Sequence, residues 1–448
     1  MRIKAVRHAV IAILLLGICS IFSGIAFADE EVAYASKAGI DTLWVMIAAF
    51  MVFIMQAGFG MLEAGLIRTK NTCNILMNNF LDFCMACMGF FMFGYAIMFG
   101  AGNGFMGFKG WFLFGAEGHV GNLPLYANWL FHAVFCGAAA TIVAGGVAER
   151  MKFKAYLIYS FLISATVYPL VGHWIWGGGW LSQLNFADFA GSTVVHTVGG
   201  SAALMGTIVL GPRIGKYNKD GSANAIEGHS MALASLGTLI LWFAWFGFNA
   251  GSTLSVGDGS QIAHVALNTC IAAAAGALAG MFFAWKKFGK PDLTMTMNGA
   301  LAGLVAITAP CAFVYPIEAI IIGAIGGIVV VVGTVFLDKV HIDDPVGAVP
   351  VHMMNGVWGT LAVGIFGHKA LGLARNGLLH GGGFTQLGVQ ALGVFIVIAF
   401  VLSVMFVVFK IIDKIIGLRV SREDELKGLD ITQHGMESYA GFQIFTTE

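Results

Sequence analysis

Two segments of this chain carry a histidine within the same local pattern. Residues 188–200 and 344–356 both fit D-x-x-G-x-x-x-V-H-x-x-x-G, which places His196 and His352 eight residues after an aspartate. A neutral imidazole offers one donor and one acceptor nitrogen, and it can also take up a proton. If the fold brings the two rings together, they can line a path for a small hydrogen-bonding molecule or for a proton.

The aspartates of this pattern predict where two helices begin. Asp344 followed by Pro345 is a favourable N-cap with proline at the first helical position, and Asp188 is expected to begin the matching helix. At 1.5 Å per residue, each histidine then lies about 12 Å along its helix. Because the hydrocarbon core is about 30 Å thick, helices that enter from opposite faces bring both rings near the midplane.

These residues also have structural interpretations. A buried histidine can be a packing residue whose nitrogens are satisfied by hydrogen bonds. Ionisable side chains are expensive at membrane depth and usually mark a pathway or relay, so the matched pair favours a functional interpretation. Asp188 is either a helix cap or a carboxylate that stabilises a bound cation, and one side chain can do both.

Aromatic residues form a second group of candidate site residues. Phe131 and Phe135 lie at the start of one apolar stretch, Trp176 ends another, and Phe248 precedes Ser252 by four residues. An aromatic cage with a hydroxyl group suits a small cation, and each cation–π contact contributes about 0.5–2 kcal/mol. The alternative is the belt of aromatic side chains that membrane proteins place at the lipid–water boundary.

The composition places these residues in a membrane protein. The chain has 448 residues, of which 58% are hydrophobic and 11% charged, whereas about a quarter of a soluble protein is charged. The 24 basic and 24 acidic residues balance, which argues against a nucleic-acid partner. The seven cysteines lie mostly in apolar stretches, so no disulfide framework is expected. Cys84 and Cys87 have C-x-x-C spacing, and we interpret them as packing residues, with a metal or redox site as the alternative.

The hydropathy pattern predicts an all-α membrane protein with eleven transmembrane helices. The matched histidine segments begin the fifth and tenth of these, one from outside and one from inside. This arrangement predicts an inverted 5+5 pseudo-two-fold repeat followed by a final helix. The predicted spans are 40–66, 75–100, 126–148, 154–173, 190–211, 228–249, 259–285, 296–313, 316–337, 346–366 and 386–411.

The basic residues predict the orientation. Of the 24 lysines and arginines, 17 fall in segments expected inside, four in segments expected outside, and three before residue 28. This bias predicts an inner (plasma) membrane protein with the mature N-terminus outside and the C-terminus in the cytoplasm. Residues 1–28 have the charged, apolar and A-x-A regions of a signal peptide. An uncleaved extra helix is the alternative.

The domain organisation follows from these features. We expect a signal peptide at 1–28, a transmembrane domain at 29–417 and a polar cytoplasmic tail at 418–448. Within the transmembrane domain the repeat halves cover about 40–211 and 228–366, and the last helix about 386–411.

The order and spacing of these motifs resemble the ammonium transporter (Amt) branch of the Amt/Mep/Rh superfamily over the whole mature chain. Retention of Trp176 is similar to the Amt branch rather than the Rh branch. The segments that carry the resemblance are 145–150, 176–179, 188–196, 245–252 and 344–356.

The resemblance implies a role for each candidate residue. Ammonium recruitment is implied for Trp176, Phe135 and Ser252, with Phe131 nearby and Asp188 beside the path. A stacked gate is implied for Phe135 and Phe248, and the pore for His196 and His352. It further implies methylammonium as an analogue, a homotrimer, and a regulatory tail that meets a PII-type signalling protein, without cofactor or metal.

Physical chemistry predicts how such a pore discriminates. Removing water from a cation in an apolar pore costs many kcal/mol, and desolvation also lowers the pKa of an ammonium ion. Ammonium can therefore cross as ammonia, with its proton carried separately, whereas potassium has no proton to lose. An ammonium sensor and a urea or water channel remain alternatives. An intramembrane enzyme is disfavoured, because the sequence has neither H-E-x-x-H nor G-x-S-x-G.

Overall fold

The computed structural model describes residues 37–116 and 118–439. The expected signal peptide, the first eight residues of the expected mature chain and the last nine residues of the expected tail lie outside the described residues. Within them helices joined by loops make up the chain, and the one named pair of strands is a hairpin of β1 (His119–Val120) and β2 (Leu123–Pro124).

In the described ranges, eleven apolar helices follow the predicted order. Ten of them are long and apolar enough to cross a membrane, whereas α8 has 16 residues, so eleven complete spans remain a prediction. Short helices follow in the loops, and α12 (Arg422–Lys427) lies in the tail. The bounds are α1 Lys37–Leu66, α2 Thr69–Phe99, α3 Leu125–Val147, α4 Phe153–Gln183, α5 Ser192–Leu210, α6 Met231–Gly251, α7 Ser260–Phe288, α8 Leu293–Thr308, α9 Pro316–Lys339, α10 Val349–Phe366 and α11 Thr385–Ile416.

Several helices begin where local sequence signals place them. The Ser230 hydroxyl accepts from the Leu233 amide at the start of α6, and the Asp292 carboxylate accepts from the Met295 amide at the start of α8. At α9, Pro316 occupies the first turn and the Glu318 carboxylate accepts from the Tyr315 amide. These caps satisfy amides that otherwise have no partner at a helix end.

The two histidine segments enter the fold from opposite faces. The carbonyl at the end of α5, on Leu210, accepts from Arg419, and Asp343, just before α10, pairs with Arg213, just after α5. The end of α5 and the start of α10 therefore share one face, as the inverted repeat predicts. We call it the tail face, because residues 418–439 contact it, and call the opposite end the vestibule face.

The predicted starts of α5 and α10 are wrong by several residues. Pro345 is not in the first turn, because α10 begins at Val349 and α5 at Ser192. Gly191 and Gly347 intervene with φ of 115° and 81°, a left-handed conformation that only glycine adopts readily. The histidines consequently lie within the first π-helical turn of each helix rather than eight residues along it.

Buried ion pairs connect the loops of the tail face. The Arg213 guanidinium donates two hydrogen bonds of 2.9 Å to the Asp343 carboxylate and also lies 3.4 Å from Glu149. Burial raises the pKa of Asp343, but the hydrogen bonds and charge of Arg213 outweigh it and bring this pKa to about 2. Glu149 in turn accepts from the Arg68 side chain. This network joins the loops after α1, α3 and α5 to the loop before α10.

The described part of the tail docks on the same face. The Asp430 carboxylate accepts from the backbone amides of Cys73 and Asn74, which belong to the first turns of α2. The Lys70 ammonium donates to the carbonyls of Glu425 and Leu426. A carboxylate at a helix N-terminus satisfies free amides and interacts favourably with the helix dipole. The tail therefore packs on the start of α2.

Candidate functional site

A cavity of about 440 Å³ opens at the vestibule face, between the ends of α2, α3, α4, α6 and α8. Rings dominate its wall, and polar groups enter it at a few points. Its lining residues are Phe99, Asn128, Phe131, His132, Phe135, Ile175, Trp176, Phe186, Asp188, Phe189, Ser252, Leu254 and Phe313. The structure thus brings together five predicted binding residues, which come from α3, α4, the residue after α6 and the loop before α5.

Trp176 and Asp188 are fixed to each other at the wall of this cavity. The indole Nε1 of Trp176 donates to the Asp188 backbone carbonyl at 2.7 Å. The Asp188 carboxylate accepts from the amides of Gly191, Thr193 and Val194 at 2.8–3.0 Å. Asp188 therefore satisfies the amides at the start of α5, and its side chain also lines the cavity.

The hydroxyl group of Ser252 is oriented by the end of α6. Its Oγ donates to the Phe248 carbonyl at 2.8 Å, which uses the single hydroxyl proton. The two lone pairs of the oxygen stay available as acceptors. In this orientation the Ser252 oxygen can accept a hydrogen bond from an N–H group of a cation. The hydroxyl group cannot donate one to it.

Three phenylalanine rings close the floor of the cavity. Phe135 and Phe248 stack with centroids 4.0 Å apart and planes at 20°, and Phe131 lies 4.6 Å from Phe135. The Phe135 and Phe248 side chains are fully buried. The stacked rings lie between the cavity and the two histidines.

The two histidines lie directly below this stack. The His196 ring stacks on Phe248 at 5.4 Å on one side and on His352 at 5.3 Å on another. The Nδ1 atoms of the two imidazoles are 3.2 Å apart, so one donates to the other. Trp245 stacks on His196 at 5.1 Å and fixes the plane of its ring. The Nε2 of His196 has no hydrogen-bond partner among the described residues.

The final glycine of each repeat segment lets the two helices meet. A side chain at Gly200 would put its Cβ 2.3 Å from the Met353 amide nitrogen, and one at Gly356 would put it 2.5 Å from the Ser192 carbonyl. A Cβ at Gly356 would also lie 3.0 Å from the Thr197 amide nitrogen, and Thr197 is the repeat equivalent of Met353, so each glycine packs on the residue that follows the other histidine. The shared pattern therefore encodes a helix cap, a left-handed turn, a buried histidine and a close helix crossing.

A second, smaller cavity continues from His352 toward the tail face. It holds about 20 Å³ and is lined by Phe59, Glu63, Asn298 and His352 among others. Glu63 is buried, and its carboxylate accepts from the Asn79 amide group at 2.8 Å. The vestibule, the phenylalanine stack, the two histidines and this small cavity form one series between the two faces.

Sequence reasoning missed two polar residues of the vestibule. His132 lies 4.5 Å from the Phe99 ring and 5.9 Å from the Trp176 ring, and its Nδ1 has no hydrogen-bond partner within the described part of the chain. Asn128 donates to the Tyr95 hydroxyl at 2.9 Å. Both lie one helical turn or less from Phe131, so the helical spacing around that residue was the available signal.

The fold and site define a multi-pass membrane protein whose two repeat halves enclose a narrow, mostly apolar path. The chain belongs to the Ammonium Transporter Family, whose sequence pattern matches residues 43–439. It is 48% identical over 427 residues to ammonium transporter Amt2 of Archaeoglobus fulgidus, covering 91% of this chain and 90% of that protein. It is 36% identical to ammonium transporter 3 of Dictyostelium discoideum, covering 92% and 96%.

Solved structures agree with this assignment. A protein described as a sensor Amt protein superposes with a TM-score of 0.85 at 40% identity, covering 89% of this chain and 99% of that one. Mep2 of Candida albicans superposes with a TM-score of 0.80 at 28% identity, covering 86% and 87%.

Proposed function

We propose that this chain transports ammonium across a membrane by binding NH₄⁺ at the vestibule and conducting NH₃ past His196 and His352. The vestibule face is outside and the tail face is in the cytoplasm, in keeping with the excess of basic residues in the tail-face loops. Membership of the Ammonium Transporter Family and the names of its relatives support the substrate.

Recruitment rests on three kinds of group in the vestibule. The faces of Trp176, Phe131 and Phe135 attract a cation through their negative quadrupoles. The Ser252 oxygen accepts one N–H bond, and the buried Asp188 carboxylate supplies negative potential. None of these groups replaces a full hydration shell, so a cation binds here without being held tightly.

Deprotonation follows from the stack of Phe135 and Phe248. A cation would have to lose its remaining water to pass between these rings, and this loss favours the uncharged form of an ammonium ion. The proton leaves before the ring stack opens and travels by a separate route or remains outside. Ammonia then meets the Nε2 of His196, whose lack of a partner suits a molecule that both donates and accepts.

The observation that carries this proposal is the direct contact of the two imidazoles, Nδ1 to Nδ1 at 3.2 Å, immediately beneath the phenylalanine stack. Because the shared proton lies between the Nδ1 atoms, the Nε2 atoms are free to line the path. A pair of hydrogen-bonding groups in an otherwise apolar tube suits a small neutral molecule.

Uptake of methylammonium or ammonium into proteoliposomes tests the proposal. Wild-type protein should give saturable flux without potassium current, and His196→Ala and His352→Ala should change flux or selectivity. His264→Ala serves as a control, because the His264 ring bonds to the Val314 carbonyl and does not line the vestibule. Absence of saturable flux in the wild type would refute transport, and wild-type flux and selectivity in both histidine variants would refute the pore assignment.

An ammonium sensor is the second candidate function, because a solved structure 40% identical to this chain is described as a sensor Amt protein. A sensor would bind ammonium at the same vestibule with little flux. Measuring binding and flux on one preparation separates the two functions, since only the transporter turns over many molecules per chain.

Assembly and regulation extend the proposal. We infer a homotrimer with one pore per subunit and a cytoplasmic tail, 418–448, that regulates transport through a PII-type signalling protein. The docking of Asp430 on the start of α2 supports a tail that senses or sets the position of that helix. Cleavage after residue 28 would leave the mature N-terminus outside, and N-terminal sequencing of the purified protein tests this.

A further inference from the structure

Three side chains that no part of the transport path uses converge at the vestibule face. Glu318 lies in the first turn of α9, His368 follows α10, and His380 ends the short helix Leu378–His380 in the loop before α11. The Nε2 atoms of His368 and His380 lie 2.8 and 2.7 Å from the same oxygen, Oε1 of Glu318. We call these residues the Glu318 cluster.

The hydrogen bonding of this cluster is incomplete. His380 Nε2 makes no hydrogen bond of acceptable angle among the described residues, although it lies close to the carboxylate. The two imidazole rings are 3.8 Å apart, centroid to centroid, so both present their Nε2 atoms to one point. Two nitrogens and one anionic oxygen that converge in this way form a donor set rather than a saturated hydrogen-bond network.

The donor set matches the ligands of a divalent transition metal. Zinc bonds to histidine nitrogen at about 2.0–2.1 Å and to carboxylate oxygen at about 2.0–2.2 Å, and two histidines with one glutamate are a common triad with an open fourth position. Tetrahedral ligand atoms are then about 3.4 Å apart. All three donor atoms already lie within 4.8 Å of one another, so small rotations of the side chains accommodate the ion.

The surroundings hold the ligands in place yet leave them accessible. The second oxygen of Glu318 accepts from the Tyr315 amide, which fixes the carboxylate as part of a capping box. The side chains of Glu318, His368 and His380 are 10%, 16% and 29% exposed, so an ion can reach them from solvent. Such outer-shell support is typical of metal ligands.

We propose that Glu318, His368 and His380 form a site for a divalent transition metal ion such as Zn²⁺ at the vestibule face, contrary to the sequence expectation of no metal. The ion would clamp the loop between α10 and α11 onto the start of α9. The site is independent of the proposed transport function, and its chemistry depends only on the three donors.

The position of the cluster links it to the vestibule. The His368 amide donates to the Phe313 carbonyl at 2.8 Å, and the Phe313 ring, which lines the cavity, packs edge-on against Phe189 at 5.8 Å. A metal that fixes His368 therefore also fixes one wall of the cavity through two direct contacts.

Zinc binding to the purified, tag-free full chain tests the site. After treatment with chelator, equilibrium dialysis with Zn²⁺ should give one saturable ion per chain, and zinc should raise the unfolding temperature. Co²⁺ should give the visible absorption of a four-coordinate site. His368→Gln, His380→Gln and Glu318→Gln should each weaken zinc binding at least about tenfold, since even outer-shell changes cost about 10–100-fold.

Two variants keep the test interpretable. Glu318→Gln keeps an oxygen for the Tyr315 amide and so preserves the helix cap while removing the charge. His264→Gln is the matched control, because His264 is a partly buried histidine near the same face that bonds to the Val314 carbonyl instead. The proposal is overturned if wild-type protein shows no saturable zinc binding, or if His368→Gln/His380→Gln binds zinc as tightly as His264→Gln does.

Discussion

Replacing Asp188 by asparagine separates its two roles, because the repeat supplies a matched control in Asp344. Each carboxylate accepts three backbone amides at a helix start, Asp188 at 2.8–3.0 Å and Asp344 at 2.7–3.2 Å. In each case one oxygen accepts two amides and the other accepts one. Only Asp188 lines the vestibule, so only its charge can act on a bound cation.

The structural loss is expected to be equal in the two variants. Asparagine retains one acceptor oxygen, so Asp188→Asn and Asp344→Asn each lose one charge-assisted hydrogen bond to a backbone amide. Such a bond is worth about 1.5–3 kcal/mol. Both variants should therefore lower the unfolding temperature to a similar extent, and a comparison at equal amounts of folded protein removes this contribution.

The electrostatic loss is expected only for Asp188. A sphere of about 440 Å³ has a radius of about 5 Å, which sets the separation of a central cation from the lining carboxylate. At an effective dielectric constant of about 20, two unit charges at that distance attract by about 3 kcal/mol. The amides that bond to Asp188 offset part of this attraction, so we expect the half-saturation concentration to rise at least about tenfold.

Methylammonium uptake by proteoliposomes measures this difference. At equal amounts of folded protein, Asp188→Asn should have a higher half-saturation concentration than Asp344→Asn. The difference between the two variants should be larger at low ionic strength. If both variants shift half-saturation equally, Asp188 is a helix cap only. If Asp188→Asn transports like the wild type, its charge has no part in recruitment.

Three further predictions follow from the geometry. Gly356→Ala puts a Cβ 2.5 Å from the Ser192 carbonyl, so α5 and α10 must separate by about 0.9 Å; we expect at least tenfold slower uptake and about 1–3 kcal/mol lower stability, and normal uptake would refute this account of the helix crossing. Phe248→Ala removes the 4.0 Å ring stack and should admit a potassium current in electrical recordings, whereas an unchanged current would show that the stack is no barrier. Asp343 has a pKa of about 2, below the value of about 3.9 expected in the unfolded chain, so its pairing contributes stability that is complete above pH 4 and lost between pH 4 and 2. Thermal unfolding in detergent should show this loss as a steeper decline over that interval in the wild type than in Asp343→Asn, and equal declines would contradict it.

The order of the helices could be predicted from hydropathy because apolar stretches of membrane length are long and continuous. The starts of α5 and α10 could not be predicted in this way. Asp344 and Pro345 have the sequence signal of a regular helix start, but Gly347 turns the chain before the helix begins. Helix ends were also underestimated, as in α11, which continues to Ile416 rather than 411. The residues added at the end of α11 include Lys414. A charged side chain lowers the hydropathy there, but it does not end a helix that continues beyond the bilayer.

The repeat made the histidine pair predictable, since two matching segments in opposite orientations must meet near a two-fold axis. His132 has no counterpart in any motif and resembles a packing residue in the sequence, although it faces the vestibule. The Glu318 cluster was unpredictable for a different reason. Its members are 50 and 12 residues apart along the chain, and only the turns around α9 and α10 bring them together.

We propose that selectivity depends on the groups that are missing from the path as much as on those that line it. The Ser252 hydroxyl and the aromatic faces compensate part of the hydration that any small cation loses, so potassium and ammonium can both enter the vestibule. Below the stack of Phe135 and Phe248, the described path offers imidazoles and apolar walls but no carboxylate until Glu63. In the proposed mechanism a potassium ion must cross that interval as a bare charge, at a cost of many kcal/mol, whereas ammonium avoids the cost by leaving its proton behind. Moving a carboxylate next to the histidines would therefore be expected to reduce discrimination rather than to improve transport.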